Sequence, residues 1–160
     1  MGIISITIRP EGLERFIEKY RAASKNLAPL MKGIAEELHS ETLQNFEQQG
    51  RPKWKALSDV TRKLRSKRGK DPNGPTLMVT GDLRNSIMAN SGADAVELSA
   101  GVGLRKKYAA IHQFGGRAGK NGKVDIPARP YMPFDGDSLQ PEAEQSIVEF
   151  VRDYFENAVG

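Results

Sequence analysis

The sequence predicts an α+β domain: a small antiparallel sheet packed against two long helices and a C-terminal helix. Three observations predict it. Ile4, Ile6 and Ile8 alternate with Ser5 and Thr7, the period of a half-buried strand. Leu30, Ile34, Leu38, Thr42 and Phe46 recur at i,i+4, the apolar stripe of a long helix. The order strand, two helices, strands, helix, with no internal repeat, fits segregated layers rather than alternating βα units.

Each element has its own signal. Pro10-Glu11-Gly12 ends the first strand, and Leu13, Phe16, Ile17 and Tyr20 follow at helical spacing. Ser24-Lys25-Asn26 is a turn. Pro29 falls in the first turn of the second helix, where its missing N–H costs nothing. Leu27, Met31 and Ala35 widen that helix's stripe, and Gly50 stops it. Ser58 can cap a short helix through about Arg68, with Val60 and Leu64 expected to point inward. Thr80-Gly81-Asp82-Leu83 opens a helical turn. Ile87 and Ala89, then Val96, Leu98 and Ala100, predict two strands joined through Ser91-Gly92-Ala93-Asp94. Tyr108 to Phe114 reads as a short helix ended by Gly115-Gly116, with Tyr108, Ile111 and Phe114 expected against the sheet. Residues 117–123 read as flexible, and Ile126-Pro127-Ala128-Arg129-Pro130 as extended by its prolines. A last helix starts near Pro141, with Glu142 and Glu144 complementing its dipole. Its apolar positions, Ala143, Ile147, Phe150, Val151 and Tyr154 among them, are wide enough to meet the core and a neighbouring subunit.

The chain has 160 residues, suiting one domain able to bury an ordinary core. It has no Cys and two His, which removes thiolate chemistry and disfavours a structural zinc site. No apolar run approaches a membrane span, and the N-terminus lacks the basic region of a signal peptide. The expectation is a protein made in the cytoplasm, without membrane partner or cofactor.

The net charge of +4 is uneven. Residues 51–70 hold nine Lys or Arg and one acid, Asp59, while the rest of the chain carries −4. Arg51, Lys53, Lys55, Arg62, Lys63, Arg65, Lys67, Arg68 and Lys70 are the candidate partner-binding residues. They could meet phosphates, with Trp54 stacking a base. Only one aromatic accompanies them, however, and Trp54 followed by Leu57 resembles an anchor returning to the core. A basic loop can equally face an acidic protein surface. Residues 50–76 are a long connection, and Lys70 to Pro75 cannot be regular structure. The expectation is a basic loop or arm, mobile in the free subunit and ordered on docking.

Catalytic and ligand-binding patterns are weak. His112 has no nucleophile or orienting carboxylate nearby in the sequence, and is expected to bond the backbone near its helix end. A site of His112 with Tyr108 or Asp125 is the enzymatic rival. His39 is expected to be partly exposed. Gly101-Val102-Gly103 lacks the third Gly of a dinucleotide fingerprint, and Gly69-Lys70 lacks the rest of a phosphate loop. Asp135-Gly136-Asp137 lacks the closing Glu of a calcium loop and reads as a turn. No catalytic, cofactor or metal residue is assigned.

The order of the motifs carries more than any one of them. Trp54-Lys55-Ala56-Leu57-Ser58, Thr61, and Leu77-Met78-Val79-Thr80-Gly81-Asp82-Leu83-Arg84-Asn85-Ser86-Ile87 come first. Tyr108-Ala109-Ala110-Ile111-His112-Gln113-Phe114-Gly115-Gly116 and Ile126-Pro127-Ala128-Arg129-Pro130-Tyr131 follow. Together they resemble the virion morphogenesis family of Mu-like phages, which is similar to the tail-completion proteins of long-tailed phages. The resemblance implies one tail-completion-like domain over 1–160 with no catalytic residue. It implies a structural virion protein of a phage or prophage, completing the tail or the head–tail junction. Its partners would be itself in a ring, a hexamer by family analogy, and the tail tube and neck or connector proteins. Its place would be the tail or neck of the virion. The alternative is a nucleic-acid-binding module using residues 51–70.

Overall fold

The computed structural model describes residues 4–8, 18, 26–101 and 106–159. The helix expected from Leu13 to Tyr20 lies almost wholly outside them.

Strand β1 (Ile4–Ile8) pairs antiparallel with β3 (Val96–Ala100), from Ile4 opposite Ala100 to Ile8 opposite Val96. β2 (Met88–Ser91) pairs with the other edge of β3, giving the order β1-β3-β2. The β2–β3 hairpin closes where Gly92 N–H donates to the Ala95 carbonyl at 2.8 Å. Val96, Leu98, Ser99 and Ala100 of β3 are buried.

Helix α1 (Ala28–Glu47) covers β2 and β3, and α5 (Pro141–Val159) packs against α1. The whole expected α1 stripe is buried, because five apolar-facing positions at i,i+4 line up on one side. Gly33 lets the two helices approach. A Cβ there would lie 1.9 Å from Cζ of Phe150. Ile147 and Val151 of α5 enter the same core as Leu30, Ile34 and Leu38, and Ala143 is also buried.

Residues 50–76 contain more structure than a loop. Helix α2 (Asp59–Lys67) forms as expected, with Ser58 Oγ accepting from Thr61 N–H at 3.2 Å. The segment is fastened at several points. Gln49 Oε1 accepts from Thr76 N–H, Trp54 Nε1 donates to the Pro130 carbonyl, and Arg65 donates to the carbonyls of Gly74 and Pro75. The expected arm is thus a folded basic ledge. Its apolar residues depart from expectation, since Val60 and Leu64 face solvent. The inward position of α2 belongs to Arg65, which donates there to two backbone carbonyls.

The short helix α3 (Asp82–Asn85) buries Leu83, and Ile87 just beyond it is also buried. Helix α4 (Lys106–Phe114) is present, but its core face differs from the one expected. Ala109 and Gln113 are buried, whereas Tyr108 and Phe114 are 63% and 65% exposed. The expected flexible stretch 117–123 is part of a hairpin, β4 (Gly116–Ala118) and β5 (Val124–Ile126), bridged by a 3-10 turn at Lys120–Gly122. Gly115 has φ +72°, and a Cβ there would lie 2.8 Å from the Ala128 nitrogen, so no side chain fits. The Asp135-Gly136-Asp137 turn joins β6 (Phe134–Asp135) and β7 (Ser138–Leu139).

Candidate interaction groove

The extended segment before β6 organises the middle of the molecule. Arg129 N–H donates to the His112 carbonyl at 2.7 Å. Gln113 Oε1 accepts from both Tyr131 N–H and Met132 N–H, each at 3.0 Å. Asn45 Nδ2 donates to the Tyr131 carbonyl, and the Tyr131 hydroxyl donates to the Ala109 carbonyl. Burial raises the Tyr131 pKa well above the usual phenol range, so the hydroxyl stays a donor. Phe46 meets Trp54 edge-on at 5.8 Å and lies 5.4 Å from Tyr131. Three stretches far apart in sequence, around Trp54, Gln113 and Tyr131, therefore form one packed node.

Beside this node runs a groove of about 1010 Å³. Its walls are residues 55–61, α2, the Thr76–Leu83 segment, the Tyr108–His112 side of α4, and β5 with Pro127. The lining combines two properties that surfaces usually separate. Leu64, Val79, Tyr108 and Val124 face it while being 47%, 45%, 63% and 51% exposed. It also holds five cationic side chains, Lys55, Arg65, Arg68, Lys70 and Arg129, against three carboxylates, Asp59, Asp82 and Asp125. Asp125 is paired with Arg117 at 3.3 Å, and Asp82 accepts from the Thr80 hydroxyl.

Two of the cations are buried. Arg65 is 9% exposed and Arg129 is 6% exposed. Arg129 donates from Nε to the Lys55 carbonyl and from Nη2 to the Ala56 carbonyl. Neither guanidinium meets a carboxylate among the described residues. Backbone carbonyls accept from two N–H groups of each guanidinium without cancelling its charge, so the groove floor is positive. Burial, then the charge of Arg65, lower the pKa of Arg129.

His112 lines the same groove, stacked on Tyr108 with ring centroids 6.4 Å apart. The backbone bond expected of its imidazole is made by its carbonyl instead. Nδ1 is buried with no hydrogen-bond partner among the described residues. His112, Tyr108 and Asp125 do meet in one groove, as the enzymatic rival requires. Among the described residues no carboxylate accepts from Nδ1, the contact that orients the ring in a Ser-His-Asp arrangement. Among the described residues no group of three acidic or His side chains could hold a metal ion. No described helix is long and apolar enough to cross a membrane. His39 is partly exposed on α1, as expected.

The nine basic candidates divide into three sets. Arg51 points inward, pairing with Glu41 at 2.8 Å and donating to Asn45 Oδ1, and Arg65 lies in the groove floor. Lys55, Arg68 and Lys70 are exposed on the groove rim. Lys53, Arg62, Lys63 and Lys67 are exposed outside it, with the Lys53 ammonium donating to the Gln48 carbonyl. Arg129 and the exposed apolar residues of the groove were not singled out from the sequence as binding residues. A visible signal existed in α2, whose only two large apolar residues, Val60 and Leu64, stand among basic ones.

The phage virion morphogenesis family model matches residues 8–156. The chain belongs to that family. It is 40% identical over 140 residues to Mu-like prophage FluMu G protein 2 of Haemophilus influenzae, covering 88% of this chain and 86% of the relative. It is 38% identical over 124 residues to the putative capsid assembly protein G of Escherichia phage Mu, covering 74% and 73%. No solved structure matches the chain. As a virion morphogenesis protein, the chain has a structural role in building a phage particle. Each motif that carries the resemblance contributes residues to the node or the groove beside it, where Trp54, Gln113, Arg129 and Tyr131 hold the walls together.

Proposed function

We propose that this morphogenesis protein completes the tail or the head–tail junction of a tailed phage or prophage particle, as a ring, and catalyses no reaction. The carrying observation is the family match across residues 8–156, which takes in every element of the groove. Identical copies around a particle axis must use heterologous contacts that close. A sixfold ring on the tail tube, facing neck or connector proteins, is the form proposed, placed in the tail or neck of the virion. The groove supports an assembly role, since exposed apolar side chains within a charged rim are the anatomy of a protein interface.

The second reading is a nucleic-acid-binding module on residues 51–70. The positive ledge favours it. The inward turn of Trp54, whose indole N–H donates to Pro130, removes the stacking aromatic it relied on.

Electron microscopy of a lysate lacking this chain tests the function. The expected result is filled heads beside separate tails. Normally joined particles would overturn the proposal, and aberrant or unfilled heads would move the role to the capsid.

A further inference from the structure

Helix α5 carries five acids and one base, Arg152. Glu142, Glu149, Asp153 and Glu156 follow one another at spacings of seven, four and three, so they share one face over about 21 Å. All four are exposed. None pairs with a basic side chain among the described residues, and Glu149 accepts only from Gln145. Val148 is exposed beside this stripe. In the shallow polar cleft that Glu142 and Glu149 line, the one base, Arg51, is already neutralised by Glu41.

The chain therefore presents two unneutralised surfaces of opposite sign. One is the acidic stripe of α5. The other is the groove, with exposed Lys55, Arg68 and Lys70 above two buried guanidiniums. No residue of α5 lines the groove. We propose that copies of this chain join head to tail, with the α5 stripe of one copy seated on the basic groove of the next. This rests on the ring reading above and names the contact that would build the ring. Charge complementarity selects the occupant, because the acidic surface that the groove fits is present on the chain itself. A twofold contact through the groove would set like charges against each other, so the heterologous arrangement is favoured. The exposed apolar residues of the groove, Leu64 and Val79 among them, give the contact area that charge alone would not hold in salt.

The test is a charge exchange in the full chain, read by sedimentation. One variant carries Lys55→Glu and Lys70→Glu, the other Glu149→Lys and Asp153→Lys. All four positions are exposed, and circular dichroism checks the fold of each variant. Wild type is expected to assemble, and each variant alone to associate at least about tenfold more weakly. An equimolar mixture of the two variants restores both matched contacts and should assemble again, which misfolded chains could not do. A monomeric wild type, a variant that assembles like wild type, or a mixture that stays apart would each overturn the proposal. Wild-type rings indifferent to these charges would reject this contact and leave the assembly role standing, since that role is judged separately by the knockout lysate. Retention of wild type on duplex DNA, lost in the Lys55/Lys70 variant without change in its assembly, would assign the groove to nucleic acid and also overturn it.

Discussion

His112 sits half-buried between the stacked ring of Tyr108 and the charge of Arg129. Burial, and then Arg129, lower its pKa from the ordinary 6.5. The folded protein thus holds the imidazole neutral where the unfolded chain would already bind a proton. Between the folded value and 6.5 the unfolded state carries more protons, so stability falls as pH drops through that window and is fully present above it. His112→Gln is expected to flatten the decline in melting temperature between pH 7.5 and 5.5. Glu37 acts in the opposite sense. Its pKa is raised by burial, then by Glu41 and Glu36, so its contribution is lost as pH rises from 4.5 through the folded value. Because Glu37 is the same in both proteins, the difference between the two pH profiles isolates His112. Parallel profiles would show that the imidazole is not held neutral by the fold.

Helix α4 shows how an element chooses its face. An apolar count favours Tyr108, Ile111 and Phe114, yet the buried pair is Ala109 and Gln113. The extended segment passing the helix end brings two main-chain N–H groups that need an acceptor, and Gln113 Oε1 supplies it. A buried N–H without a partner costs about 1–3 kcal/mol. Gln113→Ala orphans two, so a loss of about 2 kcal/mol or more is expected. Phe114→Ala removes an exposed ring and should change stability by no more than about 0.5 kcal/mol. Urea unfolding of the two variants checks the ordering, and a larger loss for Phe114→Ala would reverse the assignment of the face. Helix α2 follows the same logic, with Arg65 turned inward by carbonyl acceptors while Leu64 is left at the groove.

At the scale of the whole molecule the net charge of +4 hides a division between a basic ledge and an acidic helix. Separated charges of opposite sign attract copies of the same chain over roughly a Debye length, about 10 Å at 0.1 M salt and about 3 Å at 1 M. Self-association through the groove is therefore expected to weaken as salt rises over that range. Sedimentation of wild type at the two salt concentrations measures it. Association that strengthens with salt would mean that apolar burial alone drives the contact.

Local pattern was sufficient for most elements. The i,i+4 stripe of α1, the Ser58 cap of α2, the period-two residues of β3 and the start of α5 each act within a few positions, so the sequence by itself determined them and the α+β class. The family was legible for a related reason, since its motifs recur in order along the chain. The β4–β5 hairpin was hidden because its glycines and charged residues resemble a flexible stretch until their pairing is seen. The groove was hidden for a deeper reason. Its residues come from five separate segments, and whether Leu64 is core or surface, or Arg65 a free charge or a fastener, depends on which carbonyls arrive from Gly74 and Pro75. Burial of a polar group is set by the partners that tertiary structure delivers, and those lie outside any local window of sequence.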